Sequence, residues 1–143
     1  MDAVAELAEY RLTFTLPVRF RDADAMGHVN NAVYLTYLEQ ARVEYLRRVL
    51  NLSKPSDYAV VVARVEIDYK SPTFIDEELL IGTRVTKLGG ASFEMDYRLV
   101  EKKTGRLVAQ AKSVMVGYDY KLNKVKKLDE IFVEKVRQFD GIA

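Results

Sequence analysis

Between residues 18 and 42 the spacing of apolar residues changes from alternate positions to helical intervals, and this change restricts the possible folds more than any other feature of the chain. Apolar residues occupy alternate positions from Leu12 to Phe20, which predicts a half-buried strand over residues 12–20. After Gly27 they recur at helical spacing to about Leu50, which predicts a long and largely apolar helix. The junction contains two aspartates, a glycine, the only histidine and two adjacent asparagines.

The alternation of the strand predicts where the two aspartates point. If its extended geometry continues past Phe20, Asp22 and Asp24 share the inward face with the apolar side chains. Asn30 or Asn31 is the expected helix N-cap, because a short amide oxygen accepts hydrogen bonds from the free N–H groups of a first turn. The junction is thus expected to combine carboxylates with the electropositive end of a helix.

Four alternating runs and a short helix complete the chain. The strands are expected at residues 59–69, 79–85, 91–99 and 107–118, and the helix carries Leu128, Ile131, Phe132, Val136 and Phe139 at helical spacing. This order predicts an α+β fold in which an antiparallel five-stranded sheet is wrapped around a long central helix. No repeat or composition shift divides the chain, so we expect a single domain over residues 1–143. Outward-facing apolar residues on two strands predict dimerisation or stacking: Val60, Val62, Val114 and Val116.

Composition excludes several classes of function. The 22 basic and 21 acidic residues nearly cancel, so no overall field attracts nucleic acid or an anionic membrane. The absence of cysteine excludes disulfides and thiol nucleophiles, and one histidine is too few for a histidine-built metal site, so we expect no metal. The first residues lack the basic start and the continuous apolar core that are typical of a secretion signal, and no apolar run in the sequence is long enough to span a bilayer. We therefore expect a cytoplasmic protein.

The junction has a specific motif, DADAMGHVNNAVYLTYLEQAR, which starts at residue 22. It contains Asp-x-Asp, a glycine three residues after the second acid, His-Val-Asn-Asn, a tyrosine and Glu-x-x-Arg. Together with the order of elements, it resembles the hotdog-fold acyl-CoA thioesterases of the 4-hydroxybenzoyl-CoA thioesterase type, over about residues 12–119. The His-Val-Asn-Asn version looks more like the branches that act on fatty acyl thioesters, including plant acyl-ACP thioesterases.

The resemblance implies a catalytic role for two residues of the junction. The second acid of the motif corresponds to Asp24, and the backbone N–H that polarises the thioester carbonyl falls near Asn31. His28 either orients substrate or water, or is an ordinary hydrogen-bonding histidine of a turn. The family's active sites lie between subunits of a homodimer, often paired into a tetramer. Coenzyme A is part of the substrate, and no further cofactor is implied.

Several residues are candidates for binding the substrate, each with a structural alternative. Gly27 is expected to take a positive φ or to allow close approach of substrate, and Asn30 to cap the helix. Three tyrosines either line an acyl pocket or belong to an aromatic core: Tyr34, Tyr37 and Tyr69. Four residues are candidates for contact with the phosphates of coenzyme A: Arg64, Lys70, Ser71 and Arg84.

Two acids in or near the junction have competing roles. Asp22 either braces a turn or takes part in catalysis, and we predict the structural role. Glu39 either assists the reaction or forms an ion pair with Arg42 three residues on, and we predict the ion pair. At the level of the whole protein, we predict an acyl-CoA thioesterase. The alternatives are an acyl-ACP thioesterase and a non-catalytic acyl-thioester binding protein, since a fold does not guarantee activity.

Overall fold

The computed structural model describes residues 3–52 and 59–142, with side chains from Ala5 onward. The described residues form three helices and six strands, and a 3-10 turn at Phe20–Asp22 follows the first strand. The order is α1 (Ala3–Glu6), β1 (Leu12–Pro17), α2 (Val33–Leu50), β2 (Val60–Tyr69), β3 (Glu78–Leu88), β4 (Ser92–Glu101), β5 (Leu107–Asp119), β6 (Lys124–Val125) and α3 (Glu130–Asp140).

The strands form an antiparallel sheet in the order β1, β3, β4, β5, β2, and the two-residue β6 pairs with the end of β5. The predicted α+β class with an antiparallel sheet is confirmed. The predicted number of strands is wrong by one, since β6 was not expected. The strand β2 follows α2 directly in sequence but lies at the edge of the sheet, beside β5. The long connection through α2 therefore brings the junction to the edge of the sheet.

The first strand is shorter than the alternation predicts. It ends at Pro17, after which the Val18 N–H forms one further hydrogen bond to the Glu77 carbonyl and a 3-10 turn follows at Phe20–Asp22. Phe20, expected on the inward face, is consequently 84% exposed. Asp22 is buried as expected, but the turn buries it rather than a continuing strand.

The long helix α2 begins at Val33, and its N-cap position is occupied by Ala32 without a side-chain cap. The predicted cap is therefore wrong in position, although Asn30 still accepts a hydrogen bond from the Ala32 N–H at 2.9 Å. The buried face of α2 packs into the main core with the sheet and α3, through Tyr34, Tyr37, Leu38, Ala41, Tyr45, Leu46 and Leu50.

A β-bulge in β2 corrects the prediction for that strand. Val62 lies opposite Met115 and Val65 lies opposite Ser113. Two residues lie between Val62 and Val65 on β2, but only one lies between Ser113 and Met115 on β5. Because Ser113 and Met115 are both buried, Val62 and Val65 point to the same, inner side. The expected outward orientation of Val62 is thus wrong, since the extra residue Ala63 reverses the alternation.

The C-terminal helix α3 agrees with its predicted spacing except at one position. Asp129 caps its N-terminus by accepting from the Ile131 N–H at 2.8 Å. Phe132 and Val136 are buried, whereas Ile131 is 67% exposed and does not join the core. At the other end, Asp140 accepts hydrogen bonds from the Tyr45 hydroxyl and the Val85 N–H, which ties α3 to α2 and β3. None of the described helices is both long and apolar enough to cross a membrane.

Candidate active site

The residues of the polar junction form a compact loop between the 3-10 turn and α2. The Asp24 N–H donates to the His28 carbonyl at 2.8 Å, and the Gly27 N–H donates to the Asp24 carbonyl at 3.0 Å. Gly27 has φ of 87°, which confirms the predicted positive value and explains the glycine. The Val29 N–H donates to the Thr73 carbonyl and so attaches the loop to the segment before β3.

Asp24 and His28 lie side by side in this loop. One carboxylate oxygen of Asp24 accepts the Met26 N–H at 2.8 Å, and the other lies 3.2 Å from Nδ1 of His28. Both side chains are partly exposed, at 31% for Asp24 and 40% for His28. The loop therefore presents a carboxylate and an imidazole that a ligand can reach.

Asp22 is the buried counterpart of Asp24 and has a different environment. Its carboxylate accepts the Tyr37 hydroxyl at 2.8 Å and the Arg19 N–H at 3.0 Å, with the Arg19 guanidinium at 3.4 Å. Burial by itself would raise the pKa of Asp22, but these hydrogen bonds outweigh it and hold the pKa below its ordinary value of 3.8. The predicted structural role of Asp22 agrees with this saturated carboxylate.

Replacing Asp22 with Asn is expected to lower the free energy of unfolding by about 2 kcal/mol at pH 7, because the buried Tyr37 hydroxyl and Arg19 N–H lose a charged acceptor. The folded-state pKa lies below the unfolded value, so the stabilisation is complete above pH 3.8 and is lost as the pH falls below it. Urea unfolding at pH 7 and in acid, with exposed Glu66→Gln as the control, measures this. Equal losses at both pH values would contradict the assignment.

The chain enters α2 through a turn in which only some of the N–H groups form hydrogen bonds. The Val33 N–H donates to the Asn30 carbonyl, and the Ala32 N–H donates to the Asn30 side chain. Within the described part of the chain, the Asn31 N–H has no acceptor. Tyr69 fixes this position from β2, because its hydroxyl donates to the Asn31 carbonyl at 3.2 Å. The free N–H lies at the positive end of the α2 dipole and is suited to bind a carbonyl oxygen.

Three tyrosines stack beside the start of α2. The rings of Tyr34 and Tyr69 are 5.0 Å apart, and those of Tyr34 and Tyr37 are 5.9 Å apart, with edge contacts in both pairs. Tyr34 and Tyr37 are buried, whereas Tyr69 is 48% exposed. Of the three, Tyr69 is therefore accessible to a ligand, and the other two support it from the core.

The candidates for phosphate contact do not form one cluster. Arg64 pairs with Glu66 on the exposed edge strand, and the Ser71 hydroxyl donates to the Leu107 carbonyl at 2.7 Å. Lys70 is exposed and donates its backbone N–H to Val108. Arg84 lies on the outer face of the sheet, where it pairs with Glu9 and Asp96. Its predicted position beside Ser71 is wrong, because β3 presents it on the opposite face from Thr83 and Val85, which are buried.

The sequence analysis did not identify the residues that brace the segment before β3, to which the loop is attached. Arg106 donates to the Glu77 carboxylate at 2.9 Å, to the Pro72 carbonyl at 3.0 Å and to the Ser71 hydroxyl at 3.2 Å. Glu77 in turn accepts from the Thr73 hydroxyl and the Phe74 N–H, both at 2.9 Å. The ring of Phe74 makes an edge contact with the ring of His28, and the two ring centroids are 6.3 Å apart. No local pattern indicates this network, because Arg106 and Glu77 are far apart in sequence.

Glu39 and Arg42 do not form the predicted ion pair in the described structure. Arg42 instead donates to the Tyr97 hydroxyl of β4 at 3.3 Å, a partner that helical spacing cannot indicate. Within residues 3–52 and 59–142, no group of three or more carboxylate and imidazole side chains is placed to hold a metal ion. The loop itself presents a carboxylate, an imidazole and a free N–H.

Comparisons with known proteins place this geometry in context. The sequence model of the Thioesterase-like superfamily matches residues 18–136. Long-chain acyl-CoA thioesterase FadM of Escherichia coli is 30% identical over 125 residues, which cover 86% of this chain and 95% of FadM. Acyl-CoA thioesterase YbgC of Haemophilus influenzae is 37% identical over 93 residues, which cover 61% of this chain and 68% of YbgC.

A solved structure agrees with the sequence matches. The Thermus thermophilus thioesterase complexed with coenzyme A and Zn has a TM-score of 0.84 and 32% identity, covering 94% of this chain and 98% of that protein. The family match runs from the end of β1 into α3 and so includes the whole candidate site. The predicted resemblance is confirmed, and the chain belongs to the thioesterase-like superfamily, with the hotdog type of fold.

Proposed function

We propose that this protein is an acyl-CoA thioesterase, which hydrolyses an acyl-CoA thioester to the free acid and coenzyme A. The observation that carries the proposal is the 3.2 Å contact between Asp24 and His28 in the loop that leads into α2. The activities named for FadM and YbgC, and the coenzyme A bound to the Thermus thioesterase, support the same class of substrate. Coenzyme A enters as part of the substrate, with no resident cofactor.

The reaction requires a base or nucleophile and stabilisation of the developing oxyanion. Asp24 either accepts a proton from the attacking water or attacks the carbonyl carbon itself, and the carbon–sulfur bond then breaks to release the thiol. The free N–H of Asn31 polarises the carbonyl, helped by the α2 dipole. His28 orients Asp24 and the water through its ring nitrogens. Gly27 keeps the backbone of the loop free of a side chain where the substrate approaches.

Substrate contacts extend from this centre along the edge of the sheet. Asn30 holds the turn that presents the Asn31 N–H, and Tyr69 forms the wall beside it, supported by the buried Tyr34. Lys70 is the candidate for a coenzyme A phosphate, because it is exposed directly after Tyr69 at the end of β2. Arg64 and Ser71 are the weaker candidates, since a carboxylate and a backbone carbonyl already engage them.

We propose a homodimer with shared active sites, formed through β2. This strand is an edge strand, with unpaired backbone groups on one side. Its inward side chains remain partly open, with Val62 43% and Tyr69 48% exposed, and Leu35 of α2 beside them is 47% exposed. A second copy on this edge would cover these side chains next to Asn31. Pairing of such dimers into a tetramer stays a prediction.

The remaining expectations concern the whole chain. We propose that residues 1–143 form a single domain and that its sheet curls around α2 as the central helix. The seven buried residues of α2, which join one core with residues of β1, β3, β4, β5 and α3, support this arrangement. A cytoplasmic location stays a prediction.

The decisive test is a panel of acyl-CoAs, straight-chain and aromatic, with detection of the free thiol. We expect release of coenzyme A with at least one class, at a kcat/KM above about 10⁴ M⁻¹s⁻¹ for the preferred acyl group. The same acyl group on acyl carrier protein serves as the comparison. Faster hydrolysis from the carrier protein would favour an acyl-ACP thioesterase, and binding without thiol release across the panel would favour the non-catalytic binding protein.

A further inference from the structure

The loop with the proposed catalytic groups is attached to the segment that connects β2 to β3, residues 70–77. His28 forms an isolated antiparallel bridge with Phe74, and the Val29 N–H donates to the Thr73 carbonyl at 2.9 Å. The Phe74 ring also makes an edge contact with the imidazole of His28. Both the backbone and the ring of His28 therefore take their position from this connecting segment.

The connecting segment is irregular, and the side chain of Glu77 organises its backbone. The Thr73 hydroxyl and the Phe74 N–H donate to the same carboxylate oxygen of Glu77, each at 2.9 Å. The Glu77 N–H donates back to the Phe74 carbonyl at 3.1 Å, which closes a turn in which Asp76 has φ of 73°. This left-handed conformation is uncommon for a residue with a side chain, so the turn depends on its hydrogen bonds.

Arg106 fixes the Glu77 carboxylate from the turn that leads into β5. Its two terminal nitrogens donate to the two carboxylate oxygens, at 2.9 and 3.3 Å, and its Nε donates to the Ser71 hydroxyl at 3.2 Å. One terminal nitrogen also donates to the Pro72 carbonyl at 3.0 Å. Burial by itself would raise the pKa of Glu77, but the hydrogen bonds that it accepts, above all from Arg106, hold the pKa below its ordinary value of 4.5. The planar guanidinium thus joins the two ends of the connecting segment.

Thr73 and Phe74 make contacts on both sides of the connecting segment. The Thr73 hydroxyl donates to Glu77, while the Thr73 carbonyl accepts from the loop. The Phe74 N–H donates to Glu77, while its ring and its backbone bridge contact His28. Thr73 is fully buried, so close packing leaves it no room to move by itself. A displacement of the Glu77 carboxylate would therefore move His28 relative to Asp24, whose carboxylate is 3.2 Å from the imidazole.

We propose that Arg106 and Glu77 are positioning residues, which fix the contact between His28 and Asp24 through the connecting segment. All the hydrogen bonds of the Arg106 guanidinium go to residues 71–77, so its effect on the reaction passes through that segment. A misplacement of about 1 Å at a reacting group is sufficient to lower a rate about a hundredfold. The inference rests on the proposed thioesterase function, because it concerns the catalytic geometry of that reaction.

Arg106→Met is expected to lower kcat for the preferred acyl-CoA by about tenfold and to leave KM within about threefold, because it displaces the catalytic pair and removes no proposed substrate contact. Arg98→Met is the matched control. Arg98 has a similar exposure, 25% against 35%, and it also binds a carboxylate and a carbonyl, those of Glu6, on the outer face of the sheet. A loss of kcat no larger in Arg106→Met than in Arg98→Met would overturn the proposal.

A double-mutant cycle distinguishes positioning from a general loss of structure. In the His28→Gln background, Arg106→Met is expected to lower kcat by no more than about twofold further, because the contact that Arg106 positions is already absent. The same fold loss in both backgrounds would show that Arg106 acts independently of His28, and it would contradict the proposal. Melting temperatures of the single and double variants check that each protein is folded.

The imidazole of His28 also gives a measurement that needs no substrate. His28 is the only histidine of the chain, so its ring protons give a single set of NMR signals. We expect these signals to shift in Arg106→Met, because the Phe74 ring moves relative to the imidazole, and to remain in place in Arg98→Met. Unchanged His28 signals in Arg106→Met would overturn the positioning role. Hydrolysis of none of the acyl-CoAs by the wild-type protein would instead overturn the proposed function.

Arg106→Lys serves as the milder variant if Arg106→Met does not fold. Lysine keeps the charge, but its single ammonium cannot donate to Glu77, Pro72 and Ser71 in the geometry of the planar fork. We expect a smaller loss of kcat, about threefold, and a shift of the same His28 signals. Wild-type kcat together with wild-type His28 signals in this variant would contradict the proposal.

Discussion

Asp24→Asn is expected to lower kcat for acyl-CoA hydrolysis by about a thousandfold, within the range that a positioned base contributes. The amide keeps the size of the side chain and can still accept the Met26 N–H, but it can neither take a proton from water nor attack the carbonyl carbon. Kinetics with the preferred acyl-CoA and free-thiol detection measure the loss. Circular dichroism and the melting temperature should remain close to those of the wild type.

Two further variants test whether the loss of activity is specific to Asp24. Asp68→Asn removes an exposed carboxylate from β2, outside the loop, and should leave kcat unchanged. His28→Gln is expected to cost about tenfold, because the glutamine no longer orients Asp24 as the imidazole does. If His28→Gln lost as much activity as Asp24→Asn, the imidazole would be the base and Asp24 its orienting partner. Wild-type turnover in Asp24→Asn would contradict the assignment altogether.

Single turnover in heavy-oxygen water distinguishes the two possible roles of Asp24. A nucleophilic carboxylate forms an anhydride with the acyl group, and water then opens it with an oxygen retained by Asp24 or by the acid. Label in the Asp24 side chain after hydrolysis would identify the nucleophile. Label confined to the released acid is the result expected of a general base, and it excludes water attack on the Asp24 carbon of an anhydride.

The second large effect concerns the backbone of Asn31. Asn31→Pro removes the N–H proposed to polarise the carbonyl, and we expect kcat to fall by about a hundredfold or more, as for loss of one oxyanion donor. The turn accepts this change, because the Val33 N–H bonds to the Asn30 carbonyl and places Asn31 where proline is favoured in a β-turn. No hydrogen bond of the described structure is lost, since this N–H has no acceptor.

Asn31→Ala is the matched control for that variant. It removes the side chain but keeps the N–H, so kcat is expected to stay within about threefold of the wild type. Equal losses in Asn31→Pro and Asn31→Ala would assign the effect to the side chain and contradict the role of the backbone. Melting temperatures of both variants check that the start of α2 is intact.

The order of strands and helices follows from local patterns in the sequence. A period of two in the strands and of about three and a half in α2 reflects which face each element buries, and neighbouring residues are sufficient to reveal it. The loop with Asp24, Gly27 and His28 was recognisable for the same reason, since its motif is contiguous. Gly27 shows the agreement most directly, because its positive φ is a local property of the backbone.

The errors of the sequence analysis arise where a distant contact decides a local choice. Phe20 follows the alternation of β1 but is exposed, because the chain leaves the sheet after Pro17. Arg42 has the spacing for a pair with Glu39 but donates to Tyr97 on β4, which only the packing of α2 on the sheet brings near. Val62 points inwards because the register between β2 and β5 shifts at Ala63.

The sequence by itself determined the class of fold, the loop with its carboxylate and imidazole, and the resemblance to the thioesterase family. Only the tertiary structure decided that Asp22 is saturated while Asp24 is accessible, that the Asn31 N–H is free, and that Arg42 binds Tyr97 rather than Glu39. The physical reason is the range of the interactions. Periodicity and turns are set by near neighbours, whereas burial and hydrogen-bond partners depend on residues that folding brings together.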